Sequence, residues 1–217
     1  MEKITSLNIV EIYNKIHETM LKNKDYLVEL DAKTGDGDLG ISMCQGFAGV
    51  CKELATLDPV QLEPAKIIMK AALAINEYSP SSLGTILSIA MMNGAKAIKG
   101  VKEIGVAEWL DFIEAAMEGI MNKTGSKRGE KTILDSLGFA CDSLNESVKA
   151  SLTLREAAEA AANAATEGML ATKEMMAVHG RAAYYQEKTI GNIDGGATVG
   201  MLIFKTINSY LDQIIYN

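Results

Sequence analysis

Three carboxylates, Asp31, Asp36 and Asp38, fall within eight residues in the segment Asp31-Ala-Lys-Thr-Gly-Asp-Gly-Asp-Leu-Gly40. Glycines between them let the backbone turn tightly enough to bring all three to one point. Converging carboxylates repel, and a hard divalent cation relieves that repulsion; an all-oxygen donor set suits Mg²⁺ or Ca²⁺. The other reading of these residues is an exposed acidic turn in which Asp38 caps the helix that follows. Two motif matches fail. Gly35 to Gly40 fits G-x-G-x-x-G, but no strand precedes it and its carboxylates would face a pyrophosphate. An EF-hand loop needs Glu at its twelfth position, where this chain has Phe47.

With one Mg²⁺ the three carboxylates carry a net charge of about −1, and with two about +1; Mg²⁺ sites of this kind share their ions with substrate phosphates. The chain has groups that suit phosphate. Ser79, Ser81, Ser82 and Thr85 surround an expected helix start, where backbone N–H groups attract anions. Arg181 supplies a fixed cationic fork. Two further polar, glycine-bearing segments, 124–132 and 179–197, lie between expected helices. The second is about 19 residues long, a length at which loops are commonly functional or disordered.

The elements that must position these groups are helical. Ile9, Ile12, Tyr13, Ile16 and Met20 recur at three- and four-residue steps, as do Val106, Trp109, Leu110, Ile113, Met117 and Ile120. Asn8 reads as an N-cap, and Thr153 with Glu156 as a capping box. The patterns predict eight helices, near 6–22, 40–55, 60–75, 82–99, 105–121, 130–148, 153–176 and 197–215. No alternating strand of useful length, linker or internal repeat stands out. The expectation is an all-α, single-domain, antiparallel eight-helix barrel or bundle over 1–217 with short loops. Glycines inside the helices (Gly46, Gly49, Gly94, Gly138, Gly168) predict close helix–helix approach.

Composition removes several function classes. The 217 residues are 48% hydrophobic and 23% charged, with a net charge of −7, so no basic footprint for nucleic acid or anionic membrane is present. No apolar run approaches the roughly 20 residues of a membrane helix, and Met1–Glu11 shows no leader pattern. Three cysteines without a C-x-x-C pair fit a reducing, cytoplasmic location. Two histidines argue against a His-rich transition-metal site.

Three segments together carry a resemblance: Leu30-Asp-Ala-Lys-Thr-Gly-Asp-Gly-Asp38, Gly129-Glu-Lys-Thr-Ile-Leu-Asp135, and Gly180-Arg-Ala-Ala-Tyr with Ile190-Gly-Asn-Ile-Asp-Gly-Gly-Ala-Thr198. In this order the chain resembles, nearly end to end, the nucleotide-binding L subunit (DhaL family) of bacterial dihydroxyacetone kinase. It also resembles the C-terminal domain of single-chain dihydroxyacetone kinases. The resemblance implies an eight-helix barrel with ADP or ATP at one end and two Mg²⁺ ions held by Asp31, Asp36 and Asp38. It implies nucleotide contacts from Ser79, Ser82, Thr85, Gly129, Arg181, Asp194 and Gly196, with Asp194 also shaping the loop or capping the last helix. It implies a substrate-binding K subunit that holds the ketose and a phosphohistidine M subunit of the phosphotransferase system as partners, and no general base on this chain. The absence of a fused substrate domain favours that multi-subunit form. Some relatives act instead through a transcription regulator, so a nucleotide-sensing adapter is the alternative.

The chain departs from the family pattern at two places. Leu39 and Ser42 stand where His and Asn are usual, and Asn76-Glu-Tyr-Ser-Pro-Ser stands for a Gly-Gly-x-Ser-Gly-Pro loop. Glu77 and Tyr78 resist conformations that glycines allow. These changes point to a divergent paralogue. Of the remaining residues, Met91, Met92, Met175 and Met176 read as core or near-core packing and His179 as a residue at the border of a lid. Tyr184 and Tyr185 read as adenine contacts or lid anchors. Lys131 and Lys188 are left open between phosphate contacts and surface charges.

Overall fold

The structure is a computed structural model and describes residues 3–215. Among these, nine α-helices form: α1 Ser6–Lys22, α2 Lys24–Asp31, α3 Leu39–Leu54, α4 Pro64–Tyr78, α5 Ser82–Ala97, α6 Val106–Thr124, α7 Ile133–Lys149, α8 Leu154–Ala171 and α9 Gly195–Ile215. Three short 3₁₀ turns, Pro59–Gln61, Thr172–Glu174 and Arg181–Thr189, complete the regular structure. No strand forms among the described residues; one isolated antiparallel bridge joins Ile4 to Ile104. No described helix is long and apolar enough to cross a membrane.

Eight of the helices close a ring. α1 packs on α3, each later helix packs on the next, and α9 returns to α1, while α2 lies against α3. The apolar stripes read from the sequence face the ring's interior, where Trp109 of α6 stacks on Phe204 of α9 with ring centroids 5.7 Å apart. Phe47, Phe204, Met20 and Met43 are almost fully buried there. Each large side chain so placed contributes about 1.5–3 kcal/mol. A cavity of about 150 Å³ remains along the axis, lined by apolar and aromatic side chains that include Ile12, Met91 and Ile113.

Small residues set how closely the ring packs. A Cβ on Gly168 would lie 2.4 Å from the Asp135 carbonyl, and one on Gly94 2.5 Å from the Phe112 ring. Ala157, Ala158, Ala161 and Ala165 of α8 are entirely buried. Short connections force the ring helices to alternate in direction. The loops at 32–38, 79–81, 125–132 and 172–194 therefore emerge at one end of the ring.

The eight expected helices are all present, with local differences. Thr5, not Asn8, is the N-cap of α1; Asn8 is the third helical residue of the capping box and returns its side chain to the Thr5 N–H at 2.9 Å. α2 is an extra short helix. The segment expected at 60–75 divides into a 3₁₀ turn and α4. α7 starts at Ile133 because Thr132 caps it, with the Asp135 carboxylate accepting from the Thr132 N–H at 2.7 Å. α8 stops at Ala171 instead of running to 176. The capping box of Thr153 and Glu156 forms as read. Met91 is buried, whereas Met176 is exposed on the segment beyond α8.

Candidate metal centre

Asp31 is the last residue of α2, and Asp38 immediately precedes α3. The turn between them folds around the Asp31 carboxylate. Its Oδ2 accepts the Gly37 N–H at 2.8 Å and the Asp38 N–H at 3.1 Å. The Gly35 N–H donates to the Asp31 carbonyl at 2.6 Å. A Cβ on Gly35 would lie 2.3 Å from Asp31 Oδ1 and displace that carboxylate from the turn. Gly37 takes φ 74°, in the left-handed region. At Gly40 a Cβ would lie 2.1 Å from the Lys24 carbonyl, so the start of α3 packs directly on the start of α2.

The turn brings one carboxylate oxygen each from Asp31, Asp36 and Asp38 within 4.8 Å of one another. Asp38 sits at the N-cap position of α3, yet its side chain makes no cap hydrogen bond. Its carboxylate is thus free to serve the cluster, which disfavours the simple capped-turn reading. Partial burial, followed by the charges of Asp36 and Asp31, pushes the Asp38 carboxyl above the usual range; Arg181 pulls the other way. Three converging carboxylate oxygens, offset among the described residues by one arginine alone, fit a hard divalent cation.

A lid made by residues 175–193 lies over this turn. Arg181, at the start of its 3₁₀ turn, places Nη1 2.5 Å from Asp36 Oδ2. His179 Nε2 lies 2.6 Å from Glu130 Oε2, a pairing that the sequence alone did not indicate. This contact and the Lys127 N–H hold the Glu130 carboxyl below its usual range. The Ala177 N–H donates to Thr189 Oγ1 at 3.0 Å, closing the lid on itself. Tyr184 is 89% exposed, so it does not anchor the lid to the barrel.

The other expected site residues occupy the same end of the ring. Asp194 caps α9: its Oδ2 accepts the Ala197 N–H at 2.7 Å, and burial pushes its carboxyl up to about 6. Gly196 lets α9 start beside α7, since a Cβ there would lie 3.2 Å from the Ile133 nitrogen. Gly129, at φ 87°, donates its N–H to Asp135 Oδ1 at 2.5 Å. Asp135 is buried and thereby organises the whole 129–132 turn. Ser82 and Thr85 are exposed on the first turn of α5. Ser79 differs from these. It is fully buried, its hydroxyl lies 3.2 Å from Ser81 Oγ, and Gly46 and Gly84 wall it in. Ser81, not Ser79, caps α5 by accepting the Gly84 N–H at 3.1 Å.

Leu39 is buried and packs against Gly195 at the start of α9. Tyr78 extends α4 and lays its ring over Gly49, with its hydroxyl accepting from Lys52 Nζ at 3.1 Å.

A closed ring of eight helices with an acidic turn beneath an arginine-bearing lid defines a recognisable class. Residues 33–209 match the family model described as the DAK2 domain, and the chain belongs to that family, as a divergent DhaL-type member. It is 30% identical over 191 residues to the PEP-dependent dihydroxyacetone kinase 1, ADP-binding subunit DhaL, of Listeria innocua, covering 88% of this chain and 89% of that one. It is 24% identical over 204 residues to the DhaL ADP-binding subunit of the PEP-dependent dihydroxyacetone kinase of Escherichia coli, covering 94% of this chain and 96% of that one. The fold matches a crystal structure of the dihydroxyacetone kinase from C. freundii in complex with AMP-PNP and Mg²⁺, with a TM-score of 0.69 and 22% identity. That match covers 92% of this chain and 33% of the longer one.

Proposed function

We propose that this chain is the ADP/ATP-binding subunit of a multi-subunit kinase for dihydroxyacetone or a similar short ketose. The observation that carries the reading is the convergence of Asp31, Asp36 and Asp38 beneath Arg181. The three aspartates hold Mg²⁺, with two ions expected from the family resemblance. Held by these three carboxylates, Mg²⁺ would supply the positive charge that offsets phosphate.

Arg181 covers the phosphates from the lid side, and Ser82, Thr85 and the start of α5 receive them from the barrel side. Ser79, being buried, shapes the turn before α5 and acts on phosphate through the backbone it positions. Gly129, Asp194 and Gly196 form the adjoining walls of the nucleotide site. Phosphoryl transfer asks a protein mainly for positioning and charge neutralisation, so no general base is assigned to this chain. The terminal phosphate faces outward from the ring's end, towards a ketose held on a K-type partner subunit. A phosphohistidine M-type subunit recharges the nucleotide. The location is the cytoplasm, with no nucleic-acid or membrane partner. One domain over 1–217 performs this role; Met1, Glu2, Tyr216 and Asn217 lie outside the described residues.

One observation favours a second reading. Leu39 is packed in apolar contact at a position where the family resemblance implies a histidine, so a polar contact next to the metal ligands is missing. A nucleotide-sensing adapter would tolerate that loss better than a kinase.

Asp36→Asn tests the metal assignment. Mg²⁺-dependent ADP binding should disappear while helical circular dichroism is retained; unchanged binding overturns the assignment. A phosphate-transfer assay with the cognate partner subunits separates kinase from adapter.

A further inference from the structure

The 175–193 lid leaves the ring after α8 and rejoins it before α9, and its two ends meet at one side chain. Lys131 is buried, and its Nζ donates to the carbonyl of Thr172 in the 3₁₀ turn leading into the lid and to the carbonyl of Asn192 at its finish. An ammonium carries three donors on a flexible stem, which suits it to gather carbonyls from separate strands of chain. Two weaker ties lie beside it. The Gly191 N–H donates to the Lys173 carbonyl at 2.7 Å, and the Asp194 N–H to Thr172 Oγ1 at 3.0 Å.

The backbone of Lys131 adds a second, independent observation. It takes φ 61°, a left-handed conformation that a lysine resists and a glycine adopts freely. The lysine holds this glycine-like conformation while its ammonium gathers the two carbonyls. Its neighbours act on the same structure: Gly129 is fixed by Asp135, and Glu130 holds His179 of the lid. Burial pulls the Lys131 ammonium below its usual range, while Asp194 and Asp135 pull it back up.

We propose that Lys131 is a positioning residue that fastens both ends of the lid, and so sets Arg181 over the acidic turn. This concerns how the lid is held, and it rests on the metal reading only where Mg²⁺ is used as a probe.

The test uses the full chain as Lys131→Met and Lys131→Gly. Hydrogen exchange read by mass spectrometry without ligand should be about tenfold faster across residues 173–193 in both variants, the fold-change expected from losing a charged hydrogen bond. Exchange within α7 and α8 should not change. Lys131→Gly relieves the backbone, so it isolates the ammonium if Lys131→Met folds poorly. With Arg181 released from Asp36, Mg²⁺ alone should bind about threefold more tightly, as expected for removal of one competing surface pair. Merely structural loosening would not tighten Mg²⁺ binding. Lid exchange that is unchanged, exchange that rises equally in α7 and α8, a glycine variant that loses its barrel, or Mg²⁺ affinity that fails to rise each overturns the proposal. If the wild type binds no Mg²⁺, the metal reading fails by itself, and the ligand-free exchange result decides Lys131.

Discussion

Arg181 of the lid lies 2.5 Å from Asp36 of the acidic turn, and this ion pair joins the two halves of the candidate site. Both side chains are substantially exposed, so the pair contributes at most about 1 kcal/mol to folding. Its value lies in placing a cation where phosphate charge would arrive. Arg181→Ala should leave the melting temperature nearly unchanged and weaken Mg–ADP binding about tenfold to a hundredfold, the range for a charged hydrogen bond to a ligand. Calorimetric titration of the variant checks this.

Gly40 bears on the same site from beneath. Its Cβ position is 2.1 Å from the Lys24 carbonyl, so Gly40→Ala must separate α2 from α3. Overpacking of this kind costs about 1–3 kcal/mol. Because Asp31 ends α2 and Asp38 precedes α3, the separation also spreads the carboxylates. Mg²⁺ affinity should fall together with stability; measured Mg²⁺ binding at wild-type strength would show that the α2–α3 contact does not set the cluster.

Asp135 holds the 129–132 turn by accepting from Gly129 and Thr132. Asp135→Ala strands both N–H groups and removes half of the capping box of α7. A loss of about 2 kcal/mol in denaturant unfolding is expected, as for a cap and a buried hydrogen bond together.

Asp194 gives a pH signature. Its carboxyl is raised by burial from 3.8 to about 6. Between those values the folded chain keeps a proton that the unfolded chain has released, so this group's contribution falls as pH rises through the window and is level above it. Asp194→Asn retains a capping side chain and cannot titrate. The stability of the wild type relative to this variant should therefore decline from about pH 4 to about pH 6 in parallel melts. A difference that is flat across that range would contradict the buried position of the carboxyl.

The ring helices were legible because their apolar residues recur with helical period and their ends carry caps, as at Thr153 and Glu156. α2 was not, since eight residues with only Leu27 and Leu30 buried give too short a pattern to register. The overrun of α8 has a similar cause. Helix-forming residues continue past Ala171 as Thr-Lys-Glu-Met-Met, but the chain tightens into the 3₁₀ turn Thr172–Glu174 and becomes extended at Met175. The acidic cluster was legible because Asp31, Asp36 and Asp38 are neighbours in sequence. The pairings of Arg181 with Asp36, His179 with Glu130, and Lys131 with the lid ends join distant segments, and no local pattern encodes them. Ser79 shows the converse: its residue type suited phosphate, and packing against Gly46 and Gly84 buried it.

Native mass spectrometry of the freshly purified chain tests the central claim most directly. The account predicts a species heavier than the bare chain by ADP and magnesium, retained from the cell or taken up on addition of Mg–ADP, and lost in Asp36→Asn. A chain that stays bare even with Mg–ADP supplied would contradict the nucleotide site and make the adapter reading the leading one.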